Sequence, residues 1–270
     1  TLEIAIGTLV GQSAAAVATL FAVRHFDAAD FGMMGIFAAI SIMAGTIGTG
    51  RLEAAIPIPI RDRRAGAITT LALMLLFSTV VLTLVLSITL GPSFLDLLHA
   101  SPLANALPLT ALGAATIGAR SILMGWSTRE NRTRGISIAR ALNGLVMAAI
   151  LVIGFFQTPK VGYLLAAWLG GQIAEAVALA IPMLGDASFR PTLEKSRLRR
   201  TWRRYRGFPL VLTWGHLIDQ IMNHLPTLAL ASAYSMDVAG VFVVVHRLVV
   251  QPIAILGGAV SVTLVATVRG

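Results

Sequence analysis

Residues 65–90 read AGAITTLALMLLFSTVVLTLVLSITL, and no charged side chain interrupts those 26 positions. A helix rises about 1.5 Å per residue, so roughly 20 apolar residues cross the hydrocarbon layer of a bilayer. A helix on a soluble core would alternate an apolar stripe with a polar back. This stretch has no polar back and reads as a membrane span. Similar runs recur along the chain, at 3–23, 31–56, 103–126, 136–157, 161–184, 208–231 and 238–265. The expected fold is an all-α integral membrane protein with about eight transmembrane helices. Composition agrees, with 56% hydrophobic and 12% charged residues, about half the charge usual for a soluble domain.

The net charge of +9 suggests a nucleic-acid partner only until the basic residues are located. Four Arg fall in the second connection (51–64), five in and beside the fourth (120–140), and seven Arg with Lys195 in the sixth (190–206). These 17 of the 21 basic residues lie in or beside even-numbered connections. The odd connections hold almost none. That alternation was not used to draw the spans, and it is the positive-inside pattern. It predicts even connections and the N-terminus in the cytoplasm, and it argues against a nucleic-acid partner. Cysteine is absent, which excludes disulfides and thiolate metal sites. The residues point to no metal and no cofactor. The chain begins inside an apolar run without a signal-peptide n-region.

The sixth connection is the only long one. Leu198, Trp202 and Tyr205 recur at helical spacing among Arg197, Arg199, Arg200, Arg203, Arg204 and Arg206. This is a basic amphipathic helix with an interfacial aromatic, suited to an anionic leaflet through Trp202, Arg199 and Arg203. The alternative is a solvated linker. It divides the chain into a six-helix lobe (1–184), the linker (185–207) and two further helices (208–270). Two spans do not make a bundle, so the expectation is a chain truncated at both ends. An internal echo supports a repeat: Asp27-Ala-Ala-Asp-Phe-Gly32 opens the second span and Ser235-Met-Asp-Val-Ala-Gly240 the eighth, 208 residues later. Six spans separate them, as in parallel six-helix repeats.

Several short runs, in this order, carry a resemblance. They are Ala29-Asp-Phe-Gly32, Gly50-Arg-Leu-Glu-Ala-Ala-Ile-Pro57, Gly125-Trp-Ser-Thr-Arg129, Ile136-Ser-Ile-Ala-Arg140, Tyr205-Arg-Gly-Phe-Pro209 and Ala239-Gly-Val-Phe242, followed by Arg247 and Pro252. The chain resembles the bacterial polysaccharide-biosynthesis exporters, lipid-linked oligosaccharide flippases of the multidrug and toxic-compound extrusion-like superfamily. The resemblance implies two six-helix lobes around a central cavity, with this chain supplying the first lobe and two helices of the second. It also implies export of a lipid-linked, pyrophosphate-bearing oligosaccharide, with polysaccharide assembly proteins as partners. A chain lacking four or more helices of that template is not expected to transport.

Charged groups inside a bilayer cost about 2.5–3.5 kcal/mol each on insertion scales, so they mark candidate sites. Arg120 and Arg140 sit within about two turns, roughly 10 Å, of the even-connection ends of their spans. They either snorkel or reach substrate. Arg51 and Glu53 close the second span, and their i, i+2 spacing predicts partners on other helices rather than each other. Arg51 is a substrate-binding candidate by resemblance. On the seventh span His216, Asp219, Gln220, Asn223 and His224 form one polar stripe, which must face helices or a cavity. Arg247 and Asp219 are placed to meet near mid-membrane. That meeting reads either as a structural ion pair or as an Arg fork for phosphate beside proton-coupling groups Asp219, His216 and His224. Glu175 shares a face of the sixth span with Gln172, as a helix–helix hydrogen bond or a coupling site. Arg247, Arg51, Arg120 and Asn223 are the substrate-binding candidates. A cation-coupled multidrug exporter of the same fold is the alternative, and an enzyme such as a polymerase or glycosyltransferase stands behind it.

Overall fold

The computed structural model describes residues 2–97, 100–157, 160–184 and 192–250, and every regular element among them is helical. In chain order these are α1 (Leu2–Ala22), α2 (Ala28–Thr49), α3 (Asp62–Thr89), the short α4 (Gly91–Leu97), α5 (Leu109–Arg129), α6 (Thr133–Phe155), α7 (Val161–Leu184), the linker helix α8 (Lys195–Tyr205), α9 (Thr213–Ala233) and α10 (Met236–Val245). Five helices are long and apolar enough to cross a bilayer: α1, α2, α3, α6 and α7. The protein is a multi-pass membrane protein. α3 presents Phe77, Leu82 and Ile88 to the outside, the surface a lipid-facing helix needs.

Several boundaries differ from the sequence expectation. The eighth span starts as α10 and continues as a π turn over His246–Val250; its remainder, with Pro252, lies outside the described residues. The fourth begins at Leu109 rather than 103, because Ser101–Ala106 form a 3-10 turn around Pro102. The seventh opens with a π turn, Phe208–Leu212, at Pro209. Pro removes a backbone donor and widens the helix locally.

The second span ends at Thr49, not 56. Gly50 (φ 56°) and Arg51 (φ 55°) both take left-handed backbone, ordinary for Gly and strained for Arg. The reversal drops Leu52, Ala55 and Ile56 into full burial beside Trp126 and Ile68. Trp126 anchors this cluster by donating its indole N–H to Thr69 Oγ1 at 2.6 Å. The reversal also corrects the expectation for Arg51 and Glu53. Helical azimuths do not apply beyond Gly50, and the two side chains pair with each other at 3.2 Å.

The first seven helices pack with α1 against α6, α6 against α7, and α2 at the centre against α3, α5 and α7. The Arg-bearing connections gather at one end. There Arg129 holds Asp62 at 2.6 Å and also the carbonyls of Pro59 and Ile60. α8 lies along α3 at this end, burying Thr201 and Tyr205, half-burying Trp202 and exposing Arg199, Arg200, Arg203 and Arg204.

The α9–α10 hairpin joins this body through α2. Gly32 rests on the carbonyl of Met236, and Gly240 rests on the carbonyl of Ala28. Those pairs exchange places under the 208-residue offset of the internal echo. Gly35 meets Val243, its own counterpart at the same offset. Reciprocal contact between two parallel helices is the pattern a two-fold axis along their length produces. Any side chain at residue 32 or 240 would collide with backbone, so the crossing needs glycine twice, as in small-residue crossings of membrane helices.

A Cβ placed on Gly35 would lie 3.7 Å from Val243 Cβ, within the Cβ separation of a disulfide. Because the chain has no cysteine, Gly35→Cys with Val243→Cys should cross-link in one band on mild oxidation. Failure to cross-link, judged by mobility on a denaturing gel, would remove the seam.

Candidate functional site

A cavity of about 810 Å³ lies between the α9–α10 hairpin and α1, α2, α5, α6 and α7. α2 lines it with Met34, Ala38 and Ile42, one face at i, i+4, i+8, whose other side carries the core. Trp168 stands in the wall, its ring edge-on to Phe37 at 5.7 Å. Its polar wall comes from every other side: Thr8, Gln12 and Ser13 on α1, Arg120 on α5, Arg140 and Asn143 on α6, Gln172 and Glu175 on α7, Gln220, Asn223 and His224 on α9, and His246 and Arg247 after α10.

Three guanidinium groups and one carboxylate face this space, and their partners differ. Arg120 Nη1 donates to Glu175 Oε2 at 3.1 Å, and Asn143 Nδ2 donates to the same oxygen at 2.8 Å. Arg140 donates to a neutral hydroxyl, Thr8 Oγ1, at 2.8 Å. Arg247 Nη2 donates to the Met147 thioether at 2.7 Å, a weak acceptor. Neither Arg140 nor Arg247 has a carboxylate among the described residues. Two cations therefore face the cavity unneutralised.

Depth makes this costly for Arg247, and Arg120 lies as deep, whereas Arg140 is seven residues into α6, about 10 Å from the arginine-rich end. Arg120 and Arg247 each lie eleven residues beyond the start of their helices at Leu109 and Met236, about 16 Å from the arginine-poor end at 1.5 Å per residue. Since α5 continues to Arg129, Arg120 is also about 13 Å from the other end, beyond the two turns the sequence suggested. Snorkelling does not reach. The π turn that carries His246 and Arg247 is a feature often found at functional sites.

Other sequence candidates lie elsewhere. Arg51 is outside the cavity wall, held by Glu53. The expected meeting of Arg247 and Asp219 is not made. Asp219 is largely exposed, with His216 Nδ1 3.8 Å from its carboxylate. Of the polar stripe on α9, Gln220, Asn223 and His224 reach the cavity, while His216 and Asp219 do not line it. Gln12, Ser13, Asn143, Trp168 and His246 were not singled out from sequence. Thr8 and Gln12 carried a usable signal, being polar at i, i+4 within an apolar span.

A family model described as polysaccharide biosynthesis protein matches residues 22–268. The chain belongs to that family. No curated protein matches it, and no solved structure does. Membership places this chain in polysaccharide biosynthesis, and its helices enclose a cavity walled by polar and basic side chains.

A half-buried guanidinium whose partner is a thioether is kept at the expense of stability. Arg247→Met, which fills similar volume without charge, should therefore raise the detergent-solubilised protein's unfolding free energy by about 1 kcal/mol. Differential scanning fluorimetry reads the shift. A lowered midpoint would mean that Arg247 is a structural group.

Proposed function

We propose that this protein exports a lipid-linked, pyrophosphate-bearing oligosaccharide from the cytoplasmic to the periplasmic leaflet of the bacterial inner membrane by alternating access. The observation that carries the reading is the pair of cavity guanidinium groups, Arg140 and Arg247, whose partners among the described residues are a hydroxyl and a thioether. A planar guanidinium fork binds phosphate in bidentate fashion, and a pyrophosphate brings the negative charge these two lack. The volume falls within the ordinary range of about 300–1,000 Å³ for ligand sites, enough for a headgroup portion while the lipid tail stays in the bilayer. Gln12, Ser13, Asn143, Gln172 and Asn223 offer the neutral donors and acceptors that sugar hydroxyls need.

The arginine distribution supports orientation. Arginine-rich ends face the cytoplasm under the positive-inside rule, so the α2–α10 seam lies toward the periplasm and the N-terminus is cytoplasmic. The exposed arginines of α8 then lie at the anionic cytoplasmic leaflet, with Trp202 at its interface. In this arrangement a sealed seam leaves the cavity serving the cytoplasmic side. The alternative cargo, an organic cation for a multidrug exporter, suits this wall poorly, because its one carboxylate is already held by Arg120 and Asn143. The reading assigns transport, with no bond made or broken by the protein.

In the full-length protein, Arg247→Ala should abolish surface polysaccharide, and Arg140→Ala should reduce it severalfold, with membrane levels unchanged on immunoblots. Normal polysaccharide with both variants would overturn the reading. Drug resistance conferred by the wild type without any glycan phenotype would favour the multidrug alternative.

A further inference from the structure

Among the described residues Glu175 is the one carboxylate in the cavity wall, and it is satisfied on one side only. Its side chain is 3% exposed. Oε2 accepts from both Arg120 and Asn143, while the buried Oε1 has no hydrogen-bond partner among the described residues. Half-satisfied buried pairs stabilise poorly; the Arg51–Glu53 pair at the arginine-rich end leaves Glu53 Oε2 open in the same way, so the open oxygen singles out Glu175 only together with its place in the cavity wall. Arg129 is held at more points, bound to a carboxylate and two carbonyls and set against the Trp126 ring, although its buried Nε also lacks a hydrogen bond among the described residues. Arg120 is held differently. One Nη binds Glu175, its Nε is buried without a partner, and about a third of its side chain remains exposed in the cavity wall.

We propose that Glu175 is a release residue, competing with the passenger's phosphate for the Arg120 guanidinium. This rests on the cavity being an anion site. When a phosphate engages the free edge of Arg120, two anions share one cation, and their repulsion across a low-dielectric gap weakens the bound state. Glu175 thus sets an upper limit on affinity, so that Arg140 and Arg247 capture the anion and Arg120 returns to its internal partner as the anion leaves. A transporter needs such a limit, because tight binding at one leaflet slows departure at the other. The other charged or titratable groups around this trio are Arg140 on α6 and, across the cavity, Arg247, His224 and His246. None is a second acid, so the competition falls on Glu175.

Glu175→Gln removes the charge and keeps the shape, and its amide oxygen still accepts from Arg120. Isothermal calorimetry with inorganic pyrophosphate on the full-length protein in detergent should show binding tightened about tenfold, the order expected of a charge-assisted contact no longer opposed. Surface polysaccharide should nevertheless fall, because release slows. Unchanged or weaker pyrophosphate binding by Glu175→Gln overturns the proposal and makes Glu175 a structural partner. The double-mutant cycle guards against a folding artefact. In an Arg120→Gln background, Glu175→Gln should no longer tighten binding, and a persistent gain would overturn the competition for Arg120. The underlying reading fails separately: a wild type that binds no pyrophosphate, or binds it independently of Arg140 and Arg247, has no anion site to release from.

Discussion

The crossing of α2 and α10 is the contact on which the rest of the architecture hangs. Without it, α9 and α10 would have little else to join them to the first seven helices, since their main packing is with α2 and with each other. Lipid tails are as apolar as leucine, so a hydrophobic drive between membrane helices is missing and association relies on close packing. Gly32 and Gly240 supply it by letting each backbone lie on the carbonyl of the other helix. Because the contact is reciprocal, one local solution is used twice. The cavity follows from it. α9 and α10 are held at α2 and stand away from α1 and α6, and the intervening space is lined by polar groups that lipid would not tolerate.

Charge is handled in two distinct ways within the same bilayer. At the arginine-rich end, Arg129 and Arg51 are matched at once by Asp62 and Glu53, and their role is to fix the chain reversal after α2 and its dock onto α5. Inside the cavity, cations outnumber carboxylates and find neutral acceptors. A purely structural interior would not keep Arg247 against a thioether, when an apolar side chain of the same length would pack there at no electrostatic cost. The rim cations are paired with carboxylates, whereas Arg140 and Arg247 in the cavity wall have a hydroxyl and a thioether as their partners among the described residues.

Much of the helix layout was legible in residues alone, because hydrophobic length and arginine alternation are imposed by the bilayer and not by tertiary detail. The cavity was legible in part. The polar stripe of α9 was visible, but at 100° per residue Asp219 sits about 90° round from the centre of the Gln220, Asn223, His224 and Thr227 group. Depth alone made it look like a partner for Arg247. His216 has the right azimuth yet lies further toward the arginine-rich end, past the cavity wall. The Arg51–Glu53 pair was misread because helical spacing was carried across Gly50, where the backbone turns left-handed. No periodicity reveals that break. Gln12 and Asn143 looked like ordinary span residues until α1 and α6 were seen to flank the same space.

One helix carries both devices. Gly240 forms the seam, and Arg247, seven residues on, reaches the cavity from the π turn. The glycine crossing and a cavity-facing guanidinium therefore sit on one short segment. Helix–backbone contacts as close as those of Gly32 and Gly240 are either made or broken, with little room for intermediate separations, because packed interfaces are bistable rather than continuously deformable. Neutralising Arg247 also removes the main cost of moving it relative to Met147 and α6. Under the proposed anion site, the ligand contact and the seam share one element, which is the arrangement that coupling between them requires.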